Sequence, residues 1–388
     1  MLKVVTSSSV DKNASAAGQE AGQQITAGLK LPKVAFVYAS CDYDLEALLK
    51  GFKTAAPNVP FIGNTSFTGV ILPQGIIEGE SGFVGALALE DEWLAVGVAG
   101  LEKKGSAVET GRAVAKLALT KAGRSTPPTY FNMVAPPGEE EFYLKGITEV
   151  IGRVPFFGGS AADNSIKGDW KLYTDELITA DGVAVAFFYS SKPIANLYTG
   201  AYRETSDVGI ITKVKDNRVL VEIDGVPALK KYASWRGVAP ESLFGGDLLV
   251  STINSPLGVK DRLGDLVAIR HPMNGNPDYS MNIGNNLSEG TAVIRMEGTQ
   301  DELINSASET LAALKKKADF EPAAYVLVHC GGRRAGMGDR LGEVYRNLKQ
   351  VAGDVPFICQ FTFGEYGYEQ DDRNTCGGLM LSYTAFAK

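Results

Sequence analysis

Only two histidines and four cysteines occur among the 388 residues of this chain. The cysteines show no CxxC spacing, so the pattern excludes the usual cysteine–histidine zinc sites. No run of about 18 uncharged apolar residues is present, which excludes a membrane-spanning helix. Residues 1–31 lack the apolar core of a secretory signal. These absences predict a chain that works in a reducing, cytoplasmic setting.

An excess of basic residues is also missing. The 38 lysines and arginines are outnumbered by 45 aspartates and glutamates, for a net charge of −7. The chain therefore lacks the basic surface that binds nucleic acid or anionic lipid, and we expect neither as a partner. Apolar residues make up 45% and charged residues 21% of the sequence, as in ordinary globular proteins.

What the sequence does contain is an internal repeat. Val-Pro-Phe occurs three times, each time within the same order of an apolar strand, a helical segment and further apolar strands. The strands are apolar on both faces, which is typical of strands covered on both sides. We predict an α/β fold, or a mixed α+β fold, of repeated strand–helix–strand units whose mixed sheets are covered by helices in a layered αββα arrangement. The Val-Pro-Phe copies and their preceding helical segments are 59–61 with 45–55, 154–156 with 139–151, and 355–357 with 340–351.

The sequence pattern changes after Tyr189, from long apolar strands and helices to shorter segments. Short strands follow, among them a hairpin with its tip at residues 215–217. We therefore predict an N-terminal domain over 1–192 and a C-terminal domain over 193–388. The first 31 residues are predicted to contain a helix docked on the body, because one face at helical spacing carries Ala17, Ala21, Ile25 and Leu29.

Small polar loops follow all three Val-Pro-Phe strands. In strand–helix units the carboxyl ends of strands and the loops after them form the usual binding edge. Glycines in these loops leave backbone amides accessible. An ordinary turn explains any one loop equally well, but three equivalent loops on a rigid scaffold favour a ligand site. The candidate residues from the first two loops are Asn64, Ser66, Ser160 and Asp163.

The third unit carries the most chemistry. Its first strand ends in Cys330, Arg333 follows a pair of glycines, and Glu365 lies after the second strand. An arginine beside such a turn can bind a carboxylate bidentately, and a nearby glutamate can hold an amine. We predict ligand contacts by Arg333 and Glu365, with Cys330 and Thr362 beside them, to a small zwitterion such as an amino acid. The structural alternative is an Arg333–Glu365 ion pair that stabilises the loops.

Enzyme motifs are weak in this chain, and we predict no catalytic activity. A dinucleotide fingerprint, a Walker lysine and a nucleophile elbow are absent. His329 and Cys330 are neighbours on a strand and point to opposite faces, so they are badly placed to share a proton. A weaker hypothesis is an enzyme that uses Cys330 or Glu365. His271, at the end of a predicted strand, is a candidate axial haem ligand or, as the alternative, an ordinary hydrogen-bonded histidine.

These residues resemble the FIST family. The C-terminal FIST domain is recognised in Cys330-Gly331-Gly332-Arg333, Glu343, Pro356-Phe357-Ile358, Thr362-Phe363-Gly364-Glu365 and Asn374-Thr375. The segment Val59-Pro60-Phe61-Ile62-Gly63-Asn64-Thr65-Ser66 is similar to the N-terminal FIST domain, and hairpin 211–214 with 221–229 is similar to the start of the C-terminal one. The resemblance covers roughly residues 30–388. One departure is Cys359, where the other two repeats carry glycine, and this predicts that the third loop approaches a ligand less closely.

The resemblance implies an intracellular sensory module that binds a small polar ligand, with an amino acid as the proposed class. It implies output through a partner such as a histidine kinase or another signalling protein, unless the protein serves alone. We predict no cofactor. The alternative that it implies is a haem-based nitric-oxide sensor with His271 as the iron ligand.

Overall fold

Three copies of one strand–helix–strand unit form the body of the protein, as the Val-Pro-Phe repeat predicts. The computed structural model describes residues 1–260, 266–368 and 374–388. The first unit contains β1 (Lys3–Ser9), α1 (Ala14–Gly28), β2 (Val34–Ala39), α2 (Leu45–Ala55), β3 (Phe61–Thr65), β4 (Val70–Leu72), β5 (Gly75–Ile77) and β6 (Val84–Glu90). The second contains β7 (Leu94–Glu102), α3 (Ala107–Lys121), β8 (Tyr130–Ala135), α4 (Glu140–Ile151), β9 (Phe156–Ser160), β10 (Leu172–Thr174), β11 (Ile178–Thr179) and β12 (Gly182–Ser190).

The third unit begins with one strand and is then interrupted by an inserted subdomain. The unit starts with β13 (Ile194–Thr199). The insertion contains β14 (Arg203–Lys215), β15 (Val219–Ile223), β16 (Val226–Pro227), α5 (Ala228–Arg236), α6 (Asp247–Ser251), β17 (Leu257–Lys260), β18 (Val267–Arg270), β19 (Pro272–Gly275), β20 (Met281–Ile283) and β21 (Ala292–Glu297). The unit then resumes with α7 (Gln300–Lys317), β22 (Pro322–Cys330), α8 (Gly331–Met337), α9 (Leu341–Ala352), β23 (Phe357–Thr362), β24 (Glu365–Tyr368), β25 (Asn374–Gly377) and β26 (Leu381–Ala387).

Each unit contributes four strands to a sheet of six. The two strands joined by the central helix are parallel in every copy, as in β2–β3, β8–β9 and β22–β23. The last strand of the unit lies antiparallel between the first strand and the central pair. The fifth and sixth strands come from another unit. The predicted α/β class, with mixed sheets covered by helices, is confirmed.

The exchanged strands are short hairpins, and they interlock the three units. Hairpin β4–β5 of the first unit pairs with β23 of the third, and hairpin β10–β11 of the second pairs with β3 of the first. Hairpin β24–β25 of the third unit pairs with β9 of the second. The exchange is cyclic, so each sheet is completed by the next unit and the three sheets form one ring.

The inner faces of the three sheets share one core. Its centre holds one phenylalanine from each unit: Phe36 on β2, Phe157 on β9 and Phe386 on β26. Their ring centroids lie 5.9 Å (Phe36–Phe157), 6.1 Å (Phe157–Phe386) and 6.3 Å (Phe36–Phe386) apart. Aromatic contacts at these separations add specific geometry to a large buried area. The core therefore holds the three units together at their centre.

Helices cover the outer faces. In the first unit α1 and α2 approach so closely that a Cβ added at Gly18 would lie 1.9 Å from the carbonyl oxygen of Leu48. In the second, a Cβ at Gly146 would lie 2.0 Å from the carbonyl oxygen of Val108 on α3. Any side chain at these positions would push the helices apart. Helix α1 also confirms the predicted docking of the first 31 residues, since Ala17, Ala21, Ile25 and Leu29 are all buried.

The inserted subdomain is a separate antiparallel sheet packed against its own small core. The predicted hairpin is present: β14 and β15 are joined by Asp216 and Asn217, whose φ values of +50° and +61° are typical of the tight turns that suit hairpins. No helix in the described part of the chain is both long and apolar enough to cross a membrane.

Candidate functional site

The three loops after Val-Pro-Phe meet at one end of the ring. The backbone N–H of Phe67 donates to the carbonyl oxygen of Phe361 (2.9 Å), that of Ala162 to Thr65 (2.9 Å), and that of Phe363 to Ser160 (3.2 Å). The donors occupy equivalent positions in the repeat, and so do the acceptors. The three loops chosen from the sequence therefore lie together at one place. They form a ring with threefold pseudosymmetry.

The two candidate serines hold this ring together. Ser66 Oγ donates to the carbonyl oxygen of Gly69 (2.7 Å) and accepts from the backbone N–H of Phe361 (2.9 Å). Ser160 Oγ donates to Glu140 Oε1 (3.1 Å) and shares a hydrogen bond with the hydroxyl of Tyr366 (2.7 Å). Both serines are fully buried. In this structure their hydroxyls therefore bind protein groups.

Asn64 and Asp163 are also buried, with different partners. Asn64 Nδ2 donates to the carbonyl oxygen of Thr65 (2.9 Å), whereas its buried Oδ1 has no hydrogen-bond partner among the residues that the structure describes. The Asp163 carboxylate accepts backbone N–H groups from each of residues 165–169. Burial opposes ionisation of Asp163, but these bonds hold the pKa of its carboxyl below the usual value. Asp163 thus fixes the shape of its own loop.

Cys330, Thr362 and Glu365 come together in the third unit. Glu365 Oε1 accepts from Thr362 Oγ1 (2.8 Å), Oε2 accepts from the backbone N–H of Met380 (2.8 Å), and the Cys330 thiol also bonds the carboxyl group. Burial raises the pKa of Glu365 to about 8 and raises the pKa of the Cys330 thiol further above its usual value. Burial thus favours the protonated carboxyl and the neutral thiol in this cluster.

Arg333 lies near the cluster but bonds elsewhere. Its guanidinium is fully buried and donates to the carbonyl oxygens of Gly200 (2.9 Å) and Leu303 (3.0 Å) and to Ser306 Oγ. Its positive charge lowers the pKa of Glu365 through space, but the two side chains form no ion pair. The structural alternative of a direct Arg333–Glu365 pair is therefore wrong. The predicted contact of Arg333 with a ligand stays a prediction.

His271 directly follows β18 and is buried. One ring nitrogen, Nε2, is hydrogen-bonded to the carbonyl oxygen of Leu249 (2.8 Å), and burial lowers the pKa of His271 to about 4. The neutral ring is thus engaged inside the subdomain, and this geometry does not present it to a haem iron. His329 places Nδ1 on the carbonyl oxygen of Cys330 (3.0 Å), so it bonds the backbone. No group of three or more metal-ligating side chains occurs among the described residues.

A cleft of about 1150 Å³ lies between α4 and the inserted subdomain. Its floor is largely apolar and its rim carries charges of both signs. The acidic side chains are Glu141, Glu149 and Glu289, and the basic ones are Lys145, Arg153, Lys260 and Arg270. Below, "the cleft" means this space, bounded by α4, β18, β25 and the loop 286–291.

Arg270 stands where β18 meets β25 in the cleft. Its Nε donates to the carbonyl oxygen of Asn286 (3.1 Å), and its Nη1 donates to those of Ile269 (3.1 Å) and Cys376 (3.2 Å). None of these partners carries a negative charge. Burial lowers the pKa of Arg270, since the charged form is poorly solvated there. The cleft therefore contains a desolvated cation whose hydrogen-bond partners among the described residues are neutral carbonyl groups, with the Glu141 carboxylate acting on it through space. An anionic ligand group would bind this cation favourably.

A second arginine clamps the subdomain to the second unit. Arg218 Nη2 bonds Glu140 Oε2 (2.5 Å) and Glu141 Oε2 (2.6 Å), both at the start of α4. Glu141 Oε1 in turn accepts from the backbone N–H of Asn286 (3.0 Å) in the cleft wall. Because Glu140 also binds Ser160, one chain of contacts joins the cleft to the ring of loops.

Sequence reasoning missed the cleft. Arg270 lies in the insertion, in no motif, and reaches α4 only through the folded arrangement. The one available signal was the acidic run at residues 139–141, at the start of the helix of the second unit. Such a run is equally typical of a helix N-terminus, where acidic residues favour the dipole.

Family models match the chain along most of its length. The FIST N domain matches residues 33–226 and the FIST C domain matches residues 228–368. The predicted boundary between 192 and 193 stays a prediction. No curated protein matches the chain.

Solved structures show only distant likeness. A cyanuric acid hydrolase from A. caulinodans is 10% identical, with all of both chains covered and a TM-score of 0.36. Phosphoribosylformylglycinamidine synthase II from Thermotoga maritima is 11% identical, with 100% of this chain and 72% of that chain covered and a TM-score of 0.24. Likeness at this level carries no conclusion about the present chain.

Proposed function

The chain belongs to the FIST family, whose domains are sensory domains of signal transduction that bind small ligands, and we propose that it is a sensor whose ligand binds in the cleft. The proposed ligand is a small polar molecule with both an anionic and a cationic group, such as an amino acid. Its anionic group binds Arg270, and its ammonium group binds the acidic side chains of the rim.

The observation that carries this proposal is the cleft with Arg270 inside it. Ligand sites are concave and mostly apolar, with a few polar groups that fix orientation, and they favour boundaries between domains. The cleft meets each criterion. Its volume of about 1150 Å³ leaves room for more than a free amino acid, so the class extends to amino-acid conjugates and short peptides.

The same contacts suggest how occupancy is signalled. A ligand that binds Glu141 competes with Arg218 and Asn286, the groups that now hold this carboxylate. Loosening the Arg218 clamp frees the inserted subdomain from α4 and changes the environment of Glu140 and Ser160. The proposed readout is a changed subdomain position, detected by a signalling partner such as a histidine kinase. A ligand can drive this shift only by its difference in affinity for the two states.

The buried cluster of the third unit has a separate place in this proposal. Arg333 and Glu365 are fully buried, so direct contact with a ligand would require the loops to open. In the closed arrangement Glu365 positions β24, which pairs with β25 of the cleft wall. We therefore propose that Arg270 contacts the ligand. Ligand contact by Arg333 and Glu365 is the alternative that the experiment below compares with it.

Thermal-shift measurements with the twenty protein amino acids and a set of dipeptides test the proposal. A ligand at a hundredfold excess over its dissociation constant stabilises the folded protein by about 2.7 kcal/mol. We expect at least one compound to raise the melting temperature of the wild type and of Arg346→Ala, a matched arginine variant outside the cleft. Arg270→Ala should lose most of that shift. A shift that survives in Arg270→Ala but disappears in Arg333→Ala would move the site to the ring of loops.

A further inference from the structure

A second groove repeats the chemistry of the cleft in the first unit. It lies between α2 and hairpin β10–β11 and has a volume of about 680 Å³. Helix α2 stands in the first unit where α4 stands in the second, and β10–β11 completes the first sheet as β24–β25 completes the second. "The groove" below means this space. It is thus the counterpart of the cleft under the threefold pseudosymmetry.

The side chains are repeated along with the backbone. Helix α2 presents Glu46, Leu49 and Lys50 to the groove, and α4 presents Glu141, Leu144 and Lys145 to the cleft. The two glutamates, the two leucines and the two lysines each stand at the same distance along the chain from the Val-Pro-Phe of their unit. The Glu-x-x-Leu-Lys pattern puts the glutamate and the lysine one turn apart on one helix face.

The third unit has lost this pattern. Its equivalent positions are Gly342, Tyr345 and Arg346. Tyr345 donates through its hydroxyl to the carbonyl oxygen of Pro73 (3.2 Å), which ties α9 to the loop of hairpin β4–β5. The third copy therefore serves as an internal control for the other two.

Asp175 gives the groove a partly buried carboxylate without a direct ion pair. Within the described part of the chain its carboxylate forms no ion pair within 4 Å and no hydrogen bond to another residue, and Lys121 and Lys53 act on it only through space. The neighbouring lysines are directed elsewhere: Lys53 donates to the backbone oxygen of Asp175 (3.0 Å), and Lys121 pairs with Glu176 (2.6 Å). A partly desolvated carboxylate that lacks a direct ion pair favours a ligand that supplies an ammonium group. Lys50 lines the groove on α2 and is exposed, so it is available to bind an anionic group.

We propose that the groove is a second binding site for a small zwitterion, with the ligand's ammonium group on Asp175 and its carboxylate facing Lys50. The site is separate from the cleft, and neither depends on the other. Because the groove lacks a covering subdomain, binding there is weaker than in the cleft.

Isothermal titration of the full chain with each of the twenty protein amino acids tests this inference. For at least one amino acid we expect two molecules bound per chain in the wild type. Asp175→Asn should reduce this number to one, and Lys50→Ala should weaken the second site about tenfold. Arg346→Ala, the variant of the equivalent position in the third unit, should retain both sites.

The two proposals fail in different ways. Loss of one molecule in Arg270→Ala but none in Asp175→Asn would overturn the groove and leave the cleft intact. Loss in Asp175→Asn but none in Arg270→Ala would do the reverse. Lys50 lies exposed on a helix, so Lys50→Ala will fold, and unchanged binding in that variant would contradict the groove. If no amino acid binds, the groove proposal is wrong.

Discussion

The guanidinium of Arg270 donates to the carbonyl oxygen of Cys376 across 3.2 Å, and this bond joins the edge of the inserted sheet to the hairpin that completes the second unit. The contact bridges two parts of the fold that are distant in the chain. It places a desolvated cation in a cleft whose rim carries charges of both signs. An anionic group of a ligand in the cleft would meet this guanidinium.

The Arg218 clamp should contribute strongly to stability. Removing one partner of a buried ion pair leaves an uncompensated charge and costs about 3–5 kcal/mol. Glu140 is fully buried, so Arg218→Ala should fall in this range. Arg112→Ala removes an exposed ion pair between Arg112 on α3 and Glu149 on α4, and it should cost less than about 1 kcal/mol. Urea unfolding monitored by fluorescence measures both, and equal losses would show that the clamp is not a buried pair.

Glu365 should make stability depend on pH. In the folded protein its pKa is about 8, whereas an unfolded glutamate titrates near its ordinary value of about 4.3. Because the pKa of Glu365 is raised on folding, its contribution to stability is fully present below the pKa of the unfolded state and is lost as the pH rises toward 8. Glu365→Gln resembles the protonated acid and has no such loss. Between about pH 5 and pH 8, the free energy of unfolding of the variant should therefore rise relative to that of the wild type, by up to about 1.4 kcal/mol per pH unit. Urea unfolding measures this difference. A difference that stays constant with pH would contradict the raised pKa.

Ser66 should be required for the ring of loops. Its replacement by alanine leaves the N–H of Phe361 and the carbonyl oxygen of Gly69 without this partner, and a buried group left unsatisfied costs about 1–3 kcal/mol. Ser165→Ala, at an exposed position of the neighbouring loop, should cost less than about 0.5 kcal/mol. Thermal unfolding compares the two variants. If both are equally mild, the hydroxyl of Ser66 does not stabilise the contact between units.

Haem addition distinguishes the gas-sensor alternative. With Nε2 of His271 bonded to Leu249, we expect no Soret band when haem is added to the purified protein. The haem alternative predicts a band that His271→Ala removes while His329→Ala retains it. A band with that dependence would show that the subdomain opens to bind the cofactor, and it would favour the nitric-oxide sensor over the amino-acid sensor.

Much of the fold was predictable because its signals are local. Helix α2 begins and ends at the residues that the sequence predicts, and the hairpin tip at Asp216 and Asn217 is where turn chemistry places it. The apolar segment 378–383 suggests a strand from its first residue, but the closing strand of the third unit begins at Leu381. Leu379 adopts a φ of +55°, which a strand cannot contain, and apolar composition alone does not reveal this.

The exchange of hairpins was not predictable from the same signals. Val70 pairs with Gln360, and Glu365 pairs with Gly159, across hundreds of residues of intervening chain. Nothing in a short hairpin indicates which of three equivalent sheet edges it will join. The candidate site shows the same limit. The sequence located the three loops and the Cys330–Thr362–Glu365 cluster, but the cleft depends on how the insertion packs on α4.

Hydrogen–deuterium exchange on the full chain, with and without the amino acid or dipeptide that raises the melting temperature most, tests the central claim most directly. Binding in the cleft should slow exchange in α4 (Glu140–Ile151), in β18 (Val267–Arg270) and in the loop 286–291, with no such change in Arg270→Ala. Protection confined to the loops 63–69, 158–164 and 359–365, with none in those cleft segments, would contradict the account.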